Sequence, residues 1–185
     1  MLPAADRPLV LIGLMATGKS TVGRRLASRH GWRFFDTDAV IAERNGPIPA
    51  IFAELGESGF RRIEAQVVAE VLAEAGGGAV VSLGGGAVLD EGTRRLLKKA
   101  CVVFLDADLA TVLPRLSGDT GRPLLADGAA ETWARLDRER RPLYEALASA
   151  TVDTRNAAPD VVVRRLEDQL RHHFRTEEGT LGNDR

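Results

Sequence analysis

Leu9-Val10-Leu11-Ile12-Gly13-Leu14-Met15-Ala16-Thr17-Gly18-Lys19-Ser20 decides how this chain is read. An apolar run enters at Leu9 and leaves into Gly13. Residues 13–20 then fit G-x-x-x-x-G-K-[ST], and a helical pattern opens at Lys19. Strand, glycine-rich loop and helix in that order are the context a phosphate-binding P-loop requires. Glycines let backbone N–H groups curl around a phosphate, and the following helix adds its free N–H groups and positive dipole end. Lys19 reaches the β- and γ-phosphates as a point charge, and the Ser20 hydroxyl suits Mg²⁺. The competing reading is a glycine-rich turn that merely caps a helix. Lysine is scarce, however: Lys19, Lys98 and Lys99 are the three lysines among 25 Lys and Arg residues, so its place here is specific.

The rest of the composition narrows the class. A chain of 185 residues with 44% hydrophobic content suits one globular domain with a sizeable core, expected over residues 1–175. The formal net charge of −1 carries no basic footprint for nucleic acid or an anionic membrane. No run of 18 apolar residues occurs, and Met1 to Pro8 lacks the apolar core of a signal peptide. Cys101, the single cysteine, opens the apolar run Cys101-Val102-Val103-Phe104-Leu105 and reads as core packing rather than a reactive thiol. A soluble cytoplasmic protein is the expectation.

Apolar runs alternate with helical patterns along the chain. Strands are expected at Leu9–Ile12, Arg33–Phe35 (ending in Asp36), Ala79–Leu83, Val102–Leu105 and Thr151–Asp153. Helices are expected at Lys19–His30, Ala39–Arg44, Ile48–Leu55, Ser58–Ala75, Glu91–Lys99, Leu109–Leu116, Ala129–Ala150 with an interruption at Pro142, and Asp160–Phe174. Wholly apolar strands separated by helices predict an α/β fold with a five-stranded parallel sheet covered on both faces. Residues 176–185 read as a flexible polar tail. Residues 117–128 carry three glycines and Pro123 without a core pattern. They read either as a surface connection or as a lid that excludes water and brings Arg122 to the phosphates.

Ligands of open α/β sheets bind beyond the carboxyl ends of the strands. Besides the P-loop, Asp36-Thr37-Asp38 and Gly84-Gly85-Gly86 fall there. The i, i+2 spacing can aim both carboxylates the same way. Asp38 reads both as the N-cap of the next helix and as a group that takes a substrate proton, and the two roles are compatible. His30, His172 and His173 all lie on helices away from strand ends, so a carboxylate is the better base, leaving Asp36 for Mg²⁺. Gly76-Gly77-Gly78 precedes a strand and reads as a helix C-cap. Gly84-Gly85-Gly86 follows one, and is either a tight turn or a place where ligand approaches backbone.

Two arginine segments stay open on the residues alone. Arg61 and Glu64 stand at i, i+3 on a helix, as an exposed ion pair or as a substrate contact. Arg138-Glu139-Arg140-Arg141-Pro142-Leu143-Tyr144 is either a solvated helix face or a source of an anion-binding arginine.

Taken together these segments resemble the shikimate kinase family from Leu9 to roughly Phe174. The resemblance rests on residues 13–21, Phe35-Asp36-Thr37-Asp38, Phe60-Arg61-Arg62-Ile63-Glu64, Leu83-Gly84-Gly85-Gly86, Arg122-Pro123-Leu124-Leu125 and Arg140-Arg141-Pro142-Leu143-Tyr144. It implies a P-loop NTPase fold and transfer of the ATP γ-phosphoryl group to the 3-hydroxyl of shikimate by a monomer. It also implies that Asp38, Arg61, Gly84, Gly85, Gly86 and Arg140 bind shikimate, the two arginines taking its carboxylate. Ala16, Thr17, Gly18, Lys19, Ser20 and Thr21 would hold the ATP phosphates. Arg115 and Pro159 would flank the adenine, Ser20 and Asp36 would serve Mg²⁺, and Lys19, Asp38 and Arg122 would carry catalysis.

Two positions depart from the family pattern. Ala16 stands where glycine is usual, and a methyl group there resists positive φ. Ala157 stands where many members carry arginine in the late adenine loop, with Arg155 as a candidate substitute. The rivals are a related small-metabolite kinase such as a gluconate kinase, and a nucleotide-binding relative without catalysis.

Overall fold

A computed structural model describes residues 6–116 and 128–181, with side chains described to residue 173. Five parallel strands form one sheet in the order β2-β3-β1-β4-β5. They are β1 (Leu9–Ile12), β2 (Arg33–Asp36), β3 (Ala79–Ser82), β4 (Cys101–Asp106) and β5 (Ala150–Asp153). The helices are α1 (Lys19–His30), α2 (Thr37–Asn45), α3 (Ile48–Ala75), α4 (Glu91–Leu97), α5 (Leu109–Leu116), α6 (Ala129–Leu147) and α7 (Pro159–Leu181), with a short 3₁₀ turn at Ala87–Leu89. Among the described residues, no helix is long and apolar enough to cross a membrane.

Alternation along the strands builds two cores, because successive side chains leave a strand on opposite faces. Leu9, Leu11, Val80, Val103, Leu105 and Val152 pack with Val22 and Leu26 of α1 and Val163, Leu166 and Leu170 of α7. Val10, Ile12, Val81, Val102 and Phe104 face the other way, onto α3 to α6. The central β1 is buried throughout, as expected for a strand paired on both sides.

Several boundaries differ from the sequence pattern. β2 keeps Asp36, β3 stops at Ser82, and β4 runs from Cys101 to Asp106. The two helices expected at Ile48–Leu55 and Ser58–Ala75 are both present within the span Ile48–Ala75, separated by a kink at Gly56 with φ +66° and ψ −178°. Pro142 does not interrupt α6, which ends at Leu147, three residues before β5. A proline removes one backbone hydrogen bond, and the packing of Leu136 and Tyr144 on both sides of it holds the helix. The backbone of α7 continues to Leu181, six residues into the segment expected as a tail. Polarity opposes burial, but it leaves helical hydrogen bonding intact. Residues 117–127, which hold most of the expected lid and Arg122, lie outside the described residues.

Candidate functional site

The P-loop lies at the carboxyl end of β1, where the chain turns sharply before α1. Gly13 takes φ +137°, and a β-carbon on it would lie 2.8 Å from the Leu105 carbonyl oxygen. The loop therefore rests directly on β4. Lys19 is buried at the start of α1, and its Nζ donates to the carbonyls of Gly13 at 2.9 Å and Leu14 at 2.7 Å. Ala16 is left-handed at φ +63°, a backbone region that disfavours a β-carbon. Its carbonyl accepts from Arg115 Nη1 at 2.9 Å, and the Met15 carbonyl accepts from Trp133 Nε1 at 3.3 Å.

Arg115 continues into a cleft that it lines with Thr17, Gly18, Thr21, Ala157 and Pro159. The two residues expected to flank adenine are thus brought together beside the phosphate loop. Arg155 does not join them. Its guanidinium is held by Asp153 at 2.8 and 2.9 Å, so it does not fill the place left by Ala157.

Asp36, Ser82 and Ser20 bring oxygen-bearing side chains to the same end of the sheet. Asp36 and Ser82 are register partners across β2 and β3, and Ser82 Oγ lies 3.4 Å from Ser20 Oγ. Among the described residues, no three His, Cys, Asp or Glu side chains cluster as a metal site. A hard-oxygen donor pair of this kind suits Mg²⁺, which needs few protein ligands when phosphates and water complete its shell.

Asp36 also proves to be the N-cap of α2. Its Oδ1 accepts from the N–H groups of Asp38 at 3.1 Å and Ala39 at 3.3 Å, which displaces the expected cap at Asp38. The helix begins at Thr37, two residues earlier than its apolar pattern indicated, so Asp38 sits inside the first turn. Thr37 is fully buried and joins the strand ends: its Oγ1 donates to the Ser82 carbonyl at 3.2 Å and accepts from the Gly84 N–H at 3.1 Å.

The second glycine triplet lies between the two halves of the site. A β-carbon on Gly84 would meet Glu64 Oε1 at 2.5 Å and Asp38 Oδ1 at 2.7 Å. One on Gly85 would meet the Gly13 carbonyl and the Met15 nitrogen, both at 3.4 Å. One on Gly86 would collide with the Arg61 guanidinium. Glycine is needed here for close approach, so the segment is more than a tight turn. Tyr144 of α6 fixes it by donating its hydroxyl to the Gly85 carbonyl at 2.5 Å.

Both arginine segments turn inward. Arg61 Nη1 donates to Glu64 Oε2 at 2.7 Å and Nη2 to Glu57 Oε1 at 3.1 Å; Glu64 is only 2% exposed, so this is no exposed ion pair. Burial pushes the Glu64 carboxyl above its usual range; Arg61 pulls it down, and the nearby Asp38 adds to the rise. Arg140 is 5% exposed and faces Glu64 and Tyr144, so that position is not a solvated helix face. Burial likewise pushes the Tyr144 phenol above its usual value, against the pull of Arg140. Two arginines, a carboxylate pair and a glycine cradle thus converge next to a phosphate loop. Sequence reasoning passed over Thr37, Ser82 and Trp133. Tyr144 had one available signal, its place one helical turn after Arg140.

A family model described as shikimate kinase matches residues 15–171. The shikimate kinase of Mycobacterium avium is 48% identical over 87% of this chain and 92% of its own length. The structure of shikimate kinase from Acinetobacter baumannii in complex with shikimate superposes with a TM-score of 0.85. It is 34% identical and the match covers 91% of this chain and 96% of that one. A gluconokinase from Sinorhizobium meliloti shares the fold at a TM-score of 0.65 and 21% identity, covering 97% and 98%.

Proposed function

The chain belongs to the shikimate kinase family of ATP-dependent phosphotransferases, and we propose that it transfers the γ-phosphoryl group of ATP to the 3-hydroxyl of shikimate. The observation that carries this reading is Gly85, packed on the P-loop backbone while its neighbours Gly84 and Gly86 abut Asp38, Glu64 and Arg61. Donor and acceptor halves share one wall. An acceptor held there lies within reach of a phosphoryl group held by the loop.

Phosphoryl transfer asks the protein mainly for positioning and charge stabilisation. Arg61 and Arg140 take the shikimate carboxylate, and Glu64 keeps the Arg61 guanidinium aimed. Asp38 accepts a hydrogen bond from the acceptor hydroxyl and takes its proton as the new P–O bond forms and the bond from the γ-phosphorus to the bridging oxygen breaks, releasing ADP. The backbone from Ala16 to Thr21 cradles the phosphates, Lys19 offsets their charge, and Arg122 adds a second cation from residues outside those described. Arg115 and Pro159 flank the adenine. Ser20 and Asp36 would hold Mg²⁺, which would offset phosphate charge when bound. We further propose that the protein acts as a monomer in the cytoplasm.

ADP release with shikimate, with gluconate and with no acceptor tests the reading. Strict dependence on shikimate is expected. Turnover with gluconate in its place would reassign the acceptor, and nucleotide binding without acceptor-dependent turnover would remove catalysis altogether.

A further inference from the structure

Arg141, the neighbour of Arg140, points away from the acceptor pocket and is tied down on three sides. Its Nη2 lies 2.9 Å from Asp106 Oδ1 at the carboxyl end of β4. Its Nε and Nη2 donate to the two carboxylate oxygens of Asp137, one turn back on α6, at 3.0 and 3.1 Å. The guanidinium also covers the Phe104 ring, 5.6 Å from its centroid, and that ring stacks on Tyr144 at 5.2 Å. Burial opposes the charge, but the two aspartates hold Arg141 firmly protonated.

Asp106 is itself anchored. Its carbonyl accepts from both Thr154 N and Thr154 Oγ1 at 2.8 Å. One residue earlier, the Leu105 carbonyl supports Gly13 of the P-loop. The Asp106 end of β4 is therefore a rigid point shared with the donor half of the site.

Pro142 makes this anchor consequential. It has no N–H to give the Arg138 carbonyl, so α6 lacks one rung at the segment that carries Arg140 and Tyr144. A helix weakened in this way bends more easily. A guanidinium bridging α6 to β4 across that point restores the lost constraint, and its planar fork suits the paired aspartates better than an ammonium would.

We propose that Arg141, acting with Asp106, is a positioning residue that sets the depth and angle of Arg140 and Tyr144 against the acceptor. It touches neither substrate. The proposal rests on the reading that Arg140 binds an acceptor carboxylate.

Steady-state kinetics of Arg141→Ala, Arg141→Lys, Asp106→Asn and the double variant D106N/R141A test it. The KM for shikimate should rise about five- to twentyfold in Arg141→Ala and Asp106→Asn, while the KM for ATP and kcat move less than about twofold. Arg141→Lys should recover part of the loss. The double variant should be no worse than the poorer single one, because both changes break one contact. An unchanged KM for shikimate in Arg141→Ala, or an equal rise for both substrates, would overturn the role of Arg141 alone. Loss of shikimate-dependent turnover in the unaltered protein would instead overturn the acceptor assignment and this proposal with it. If Arg141→Ala does not fold, Asp106→Asn keeps the helix charge and decides the question by the same readout.

Discussion

The Tyr144 hydroxyl donates to the Gly85 carbonyl at 2.5 Å across 59 residues of sequence. That bond joins α6, which carries Arg140, to the turn that packs on the P-loop. Tyr144 is 1% exposed and Gly85 is partly buried, so removing the hydroxyl takes from this carbonyl its side-chain donor. Tyr144→Phe should cost about 0.5–1.5 kcal/mol of stability, the usual net worth of one hydrogen bond. Urea unfolding measures it. The KM for shikimate should rise as the turn loosens, whereas an unperturbed variant would mean that packing alone holds Gly85.

Asp38→Asn keeps the size of the side chain and removes its charge and its capacity for a proton. We expect kcat to fall by about 100-fold or more, the range set by loss of a general base, with the KM for ATP nearly unchanged. The residues proposed to hold the nucleotide lie on the P-loop side of Gly85, away from Asp38, so binding of ATP should be insulated from the change. Turnover close to the unaltered rate would take Asp38 out of the chemistry.

Glu64 should leave a pH signature. Burial raises its carboxyl, so the folded protein holds this proton more tightly than the unfolded chain does. From the ordinary glutamate value near ~4.3 up to the raised value, the folded state binds more protons, and its stability falls as pH rises. Glu64→Gln cannot titrate. The stability of the unaltered protein minus that of the variant should therefore decline across this window and level off above it. Unfolding curves from about pH 4 to pH 8 give the comparison, and a difference that grows with pH contradicts it.

Ala16 bears a left-handed backbone at φ +63°. A β-carbon there costs about 1 kcal/mol relative to glycine, even after the extra freedom glycine adds to the unfolded chain. Ala16→Gly should accordingly raise the melting temperature by about 2–4 °C. Calorimetry is the check. A lower melting temperature would mean that contacts of the methyl group outweigh the strain.

Much of the site was legible because its signals are local. The motif at residues 13–20 needs only neighbouring residues to be read, as do the apolar strands and the glycines placed after rather than before a strand. Asp36 and Asp38 were visible as a pair, but which one caps α2 depends on where the helix starts, a matter of one turn that the apolar pattern leaves open. Arg61 and Arg140 were equally compatible with solvent. A helix shows its charged residues in sequence, not the surface that its tertiary neighbours cover.

By itself the sequence determined a P-loop, a parallel α/β order and the kinds of side chain available for the acceptor, since periodicity and motif spacing follow from backbone geometry. The tertiary structure alone decided that Arg140 and Glu64 are buried, that Gly85 rests on the P-loop and that Arg141 reaches β4. Those contacts join segments distant in the chain. They arise from the order β2-β3-β1-β4-β5 and from how deeply each helix packs, and no local pattern encodes either.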